Sequence, residues 1–140
     1  MLRQLSIGTA ILLGAGALAN GTYMLVDPAN WYFSIPGVTN TGPFNQHFLR
    51  DIGLIFLLVG VAFLWGAAKP RDRAVAWGAS ALWLSGHALF HVWEVAVGLC
   101  APSDLVRDFP VVSLPAILAA CMTWWAIADG RARSTQGEVQ

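Results

Sequence analysis

Four long apolar stretches, separated by turn residues, organise the chain. They cover roughly residues 5–26, 45–68, 74–99 and 110–128. Each meets or approaches the ~20 apolar residues that an α-helix needs to cross a bilayer. The breaks carry the expected signals. Asp27-Pro28 closes the first stretch, and Lys69-Pro70 closes the second, with Asp72 placed to cap the third. Gly98 and Pro102 close the third, and Gly130 follows the fourth. Pro115, inside the fourth, predicts a kink or a late helix start. The pattern predicts an all-α fold, a four-helix transmembrane bundle filling one integral-membrane domain over residues 1–140. The long connection 27–44 forms an outer loop.

Composition strengthens this picture. Charged residues make up 11% of the chain and hydrophobic ones 56%, where a soluble domain carries about 25% charge. Eight Lys and Arg balance eight Asp and Glu, which leaves no basic surface for nucleic acid. The partner implied is the lipid bilayer, with a second membrane protein or a second copy of the chain as further candidates.

The basic residues set the orientation. Arg3, Lys69, Arg71, Arg73, Arg131 and Arg133 fall on one side of a four-crossing chain, and Arg50 and Arg107 on the other. Both termini are therefore expected in the cytoplasm, in a multi-pass protein of the bacterial inner (plasma) membrane. Ala17-Leu18-Ala19 looks like a signal-peptidase site. The apolar run continues to Val26, longer than a signal core, and predicts an uncleaved first helix.

The first stretch spaces Ala10/Gly14 and Ala17/Gly21 by four. Such small residues let two helices approach closely, within one bundle or between two copies. Trp31, Tyr32 and Phe33 in the outer loop, and Trp65, Trp77, Trp124 and Trp125 near the inner boundary, form an aromatic belt. Trp83 and Trp93 read as packing. Cys100 and Cys121 lie at different depths, which argues against a disulfide.

Against this apolar background, ionisable groups cluster. The second stretch opens Asn45-Gln46-His47-Phe48-Leu49-Arg50-Asp51, and the third contains His87, His91 and Glu94. All three histidines of the chain lie in these segments. Ionisable groups within a span are costly and mark candidate function. His47 and Asp51 share a helix face, as do His87, His91 and Glu94. At ~1.5 Å rise per residue, Asp51 lies about 9 Å below the start of its helix, and His91 about 12 Å below the end of its own. His47, Arg50, Asp51, His91 and Glu94 can therefore share one layer in the outer half of the bilayer, with His87 deeper.

Three uses compete. The layer can be a transition-metal site, with His87, His91, Glu94, Asp51 and His47 as ligands and Asn20 and Asn45 as their supporting partners. That donor mixture suits zinc or copper. A haem b between His47 and His91 is a variant, disfavoured by the charges of Asp51 and Glu94. The layer can instead be a non-catalytic network that registers the helices, with an Arg50–Glu94 ion pair, in an accessory subunit. Or it can bind a quinone headgroup or handle protons, since imidazole titrates near neutrality. No Ser-His-Asp grouping, phosphate loop or GxSxG elbow is present, and no reaction is named by the sequence.

The small-residue first helix ending in Asp27-Pro28, the aromatic loop with Pro36-Gly37, and the Arg50-Asp51-Ile52-Gly53 opening of the second helix carry a resemblance. The chain resembles the DoxX-like and related small four-helix membrane proteins of bacteria. The resemblance implies an inner-membrane four-helix bundle with an accessory role beside a redox or transport system. It implies nothing about His87, His91 and Glu94.

Overall fold

A computed structural model describes residues 1–137, with side chains as far as residue 132; Arg133 of the basic set lies beyond the described side chains. Among the described residues the fold is all-helical, with no strands. Four long helices, α1 (Leu2–Val26), α3 (Gln46–Ala68), α4 (Arg73–Ala96) and α6 (Ser113–Gly137), are joined by shorter elements. These are α2 (Pro28–Ser34), a 3-10 turn (Val38–Asn40) and α5 (Pro102–Asp108). α1 and α3 are long and apolar enough to cross a membrane, and α5 with α6 makes a third candidate if that pair, bent by 58°, is one span. α4, which carries Arg73, His87, His91 and Glu94, is not among them.

The short helices depart from the expected loops, and the reason lies in their first residues. Asp27 both ends α1 and starts α2: its Oδ1 accepts from the Asn30 amide at 3.2 Å, and Pro28 takes the first helical position, where a missing N–H costs nothing. Pro102 likewise takes the first position of α5, but there the bond runs the other way, the Asp104 carboxylate accepting from the Ala101 amide at 3.0 Å. Pro115 falls in the first turn of α6 and marks the late start. Gly98, in the left-handed region at φ 78°, stops α4. Asp72 stands at the N-cap of α4 but makes no capping bond; its carboxylate accepts from Trp65 Nε1 at 2.9 Å instead.

α1 packs along α3 and α4 along α6. The small-residue stripe of α1 is used inside the chain: Gly14 lies against Gly60 and Gly21 against Gly53. The two pairs join through α3 and α4 at the end carrying the Lys69–Asp72 turn. There, α4 side chains donate to α3 carbonyls: Arg73 Nε to Gly66 (2.9 Å), Trp77 Nε1 to Phe63 (3.1 Å) and Ser80 Oγ to Val59 (3.4 Å). Phe63, Trp77, Ala119 and Met122 fill the core at this level. Trp77 is thus fully buried (0% exposed) rather than part of an interfacial belt, and Trp93, expected to pack, is half exposed.

Arginines close two helix ends. Arg50 Nε donates to the Leu25 carbonyl in the last turn of α1 (3.1 Å), as Arg73 does to the last turn of α3. A cation there satisfies orphan carbonyls and complements the helix dipole. This replaces the expected Arg50–Glu94 pair: among the described residues no such ion pair forms.

Candidate ligand cavity beneath the α2 and α5 connections

Beyond Ser80 no α3–α4 side-chain bond is formed among the described residues, and the two helix pairs enclose a cavity of about 870 Å³. Its lower walls are apolar, with Phe56, Val59 and Leu84 among them; polar groups gather towards the end covered by α2 and α5. There, α4 contributes His87, His91 and Glu94, and α5 contributes Asp108.

The α4 groups stack along one face, as the i, i+4 spacing predicts. The Trp83 and His87 rings are nearly parallel (7°, centroids 6.3 Å apart), and His91 meets His87 edge-on at 4.8 Å. His91 Nδ1 lies 3.3 Å from Asp108 Oδ2, with side chains 21% and 15% exposed. Asp108 is also held by Arg107, through Nε to Oδ1 (2.7 Å) and Nη2 to Oδ2 (3.0 Å). Arg107 Nη1 reaches Asp104 at 2.8 Å. The Asp108 carboxylate thus stands beside the His91 ring at the mouth of the α4 face. His87 makes no protein hydrogen bond among the described residues, and Trp83 Nε1 is buried without an acceptor. An unpaired buried donor costs about 1–3 kcal/mol.

The expected layer is therefore half assembled. His87 and His91 come together and Glu94 lines the same cavity, but His47 and Asp51 do not join them. The latter pair with each other at 3.4 Å on an outward face, with side chains 90% and 55% exposed. The reason is helix phase. α3 turns Phe48, Ile52, Phe56 and Val59 to the cavity, and His47 and Asp51 sit about 100° from Phe48 and Ile52 around the helix. Asn45 caps α3 by accepting from the Phe48 amide (3.1 Å), and Asn20 accepts from Trp31 Nε1 (2.9 Å). Neither supports a ligating histidine. No group of three or more His, Cys, Asp or Glu side chains that could hold a metal ion occurs among the described residues.

The missed residues are Asp108, Arg107, Trp31 and Trp83. Pro102 followed by Asp104, Arg107 and Asp108 is itself a helix signature, with the acids and the arginine at i, i+3 and i+4. Trp31 points inward against Asn20 rather than to an interface.

The α5 groups also act on Cys100. Partial burial, then the Glu94 and Asp104 carboxylates, raise its thiol above the ordinary range. The thiolate is the reactive form, so Cys100 should alkylate with maleimide more slowly at neutral pH than a free thiol and catch up only at more alkaline pH. A rate–pH curve matching that of free cysteine would contradict this.

No family model, curated protein or solved structure matches the chain.

Proposed function

We propose that this is a multi-pass inner-membrane protein whose four long helices cross the bilayer as a bundle, with both termini in the cytoplasm, and that it holds a lipophilic small molecule by its polar head. Three features support the membrane reading. Apolar side chains are exposed along all four long helices, such as Leu12, Leu58, Leu82 and Trp124. α4 has 24 residues, about 36 Å at helical rise and enough to span. Arg3 and the residues from Lys69 to Arg73 belong to the opposite end of the molecule from Arg107.

One observation carries the ligand reading: a cavity of about 870 Å³ whose polar groups stand at one end only. That is the size of a small-molecule site, and the polarity suits an amphiphile. Seven aromatic side chains, Trp31, Tyr32 and Trp83 among them, and two imidazoles favour a flat ring bearing oxygen substituents. A quinone-type headgroup on a hydrocarbon chain has this chemistry.

Zinc or copper is less well served. Two imidazoles are adjacent, but the carboxylate nearest them is taken by Arg107. A haem b would need His47 and His91 to face each other, and His47 lies outside the cavity that His91 lines. A purely structural layer has one observation in its favour, since the His91–Asp108–Arg107–Asp104 series ties α5 to α4.

Protein purified in mild detergent separates these readings. A short-chain quinone-type compound should quench tryptophan fluorescence saturably, since Trp31 and Trp83 line the cavity. Loss of the hydrogen bonds at His87 should weaken binding about tenfold in His87→Ala. A wild-type protein that no such compound quenches, with His91→Ala merely less stable, would favour the structural layer. Stoichiometric zinc or copper lost in His91→Ala would favour the metal site.

A further inference from the structure

We propose that the cavity is loaded sideways from the bilayer, through the cleft between α3 and α4 beside Gly86, and not from the aqueous phase above it. The inference rests on the ligand reading just given and concerns the route by which the ligand arrives.

The aqueous side is closed by specific bonds. Trp31 Nε1 fastens α2 to Asn20 of α1 at 2.9 Å. The Tyr32 hydroxyl donates to the Gly42 carbonyl at 2.6 Å and pins the loop back on α2, with Tyr32 itself buried. Gly37 sits at φ 87° with the Arg107 guanidinium packed where a side chain would project, so the loop is also held to α5. Opening this cover breaks the Trp31–Asn20 bond and lifts Gly37 off the Arg107 guanidinium.

The lateral side has no such fastening. The bonded pairs Gly66–Arg73, Phe63–Trp77 and Val59–Ser80 fix an antiparallel register. Continuing it sets Ile52 level with His87 and Phe48 level with His91. Over this stretch no side-chain hydrogen bond joins the helices among the described residues. Phe48, Gly86 and Phe90 line the cavity and are also exposed, as expected at an opening. Leu12 and Gly16 of α1 do the same, but the Gly14–Gly60 and Val59–Ser80 pairings set them level with or below Ala81, away from the polar end of the cavity. Gly86 makes the gap: a Cβ added there would meet nothing within 4 Å.

The polarity within the cavity agrees. The head binds among His87, His91 and Asp108, and the chain leaves at the level of Gly86, next to His87 and beside lipid. A cavity of this size accommodates a ring and a short part of its chain, so the remainder must extend outside the protein. The bilayer is the apolar medium into which it can extend.

The test uses the full chain in lipid vesicles, with two probes: a long-chain quinone already dissolved in the bilayer, and a short-chain water-soluble analogue. Tryptophan quenching is followed by stopped flow. Gly86→Phe fills the cleft without striking protein atoms at Cβ, and Gly86→Ala is the milder variant. Gly16→Phe is the comparison, because Gly16 of α1 also lines the cavity with open space beside it. The expected result is that Gly86→Phe slows quenching by the long-chain probe at least about tenfold, that Gly86→Ala slows it less, and that Gly16→Phe slows it little. Equal rates in Gly86→Phe and wild type, or slowing confined to Gly16→Phe, would overturn the route while leaving the ligand reading intact. A wild type quenched by neither probe would overturn the ligand reading itself. Thermal melting of each variant checks that it remains folded.

Discussion

Arg73→Ala is expected to destabilise the folded protein by about 2–4 kcal/mol, read as a large fall in Tm in detergent. Arg73 is 2% exposed. Its Nε donates to the Gly66 carbonyl at 2.9 Å and one Nη to the Ala67 carbonyl at 3.3 Å. Both carbonyls belong to the last turn of α3, whose acceptors have no partner within the helix. Truncation leaves buried acceptors unpaired, at about 1–3 kcal/mol for each. It also removes a guanidinium lying 5.3 Å from the Trp77 ring centre and 5.6 Å from that of Trp125, contacts worth about 0.5–2 kcal/mol. The same side chain therefore seals α3 and joins α4 to α6. Arg73→Lys should recover only part of the loss, because an ammonium lacks the planar fork that reaches both carbonyls. Arg71→Ala, two residues away and exposed, should change stability by no more than about 0.5 kcal/mol. Equal melting of Arg73→Ala and Arg71→Ala would show that the buried guanidinium does not hold this end together.

The helical pattern was readable because long apolar runs bounded by Pro, Gly and Asp leave few other folds. α1 and α3 begin and end within a few residues of the expected positions. α4 closes three residues early because Gly98 stops it, and α6 starts three residues late, with Pro115 in its first turn. Depth was also readable. The register set by Val59–Ser80 and Phe63–Trp77 does bring His47 and Asp51 level with the His87–His91 segment. What could not be read was rotation. Spacing says which residues share a face, but not which face meets the neighbour. On α3 that choice is made by Gly53 and Gly60 docking against α1, which turns Phe48, Ile52 and Phe56 inward and leaves His47 and Asp51 outside. Once those two are gone, α5 supplies the carboxylate instead. Asp108 could have been found by treating Pro102-Ser103-Asp104 as a helix start and asking which cavity its far end reaches.

That glycine seam supports the second large prediction. Gly21→Leu is expected to disrupt the packing of α1 on α3, lowering Tm sharply and reducing the yield of monodisperse protein. A Cβ at Gly21 would lie 2.6 Å from the Gly53 carbonyl oxygen and 3.0 Å from the Leu57 amide nitrogen. Both are backbone atoms of a helix and cannot turn aside as a flexible side chain would. Gly53 is constrained in return, with the Gly21 carbonyl oxygen 3.0 Å from its own virtual Cβ. The helices must therefore separate along the seam. Overpacking of this kind costs about 1–3 kcal/mol, to which the lost close contact between backbones adds. Gly8 provides the contrast, since a side chain there would meet nothing within 4 Å. Gly8→Ala should be neutral or slightly stabilising, because alanine is the better helix former by about 0.5–1 kcal/mol. The pair also separates the two uses of a small-residue stripe. If Gly14 and Gly21 served contact between copies of the chain, Gly21→Leu would change the oligomeric state and leave the melting of the monomer intact. Packing within the chain requires the monomer itself to fail.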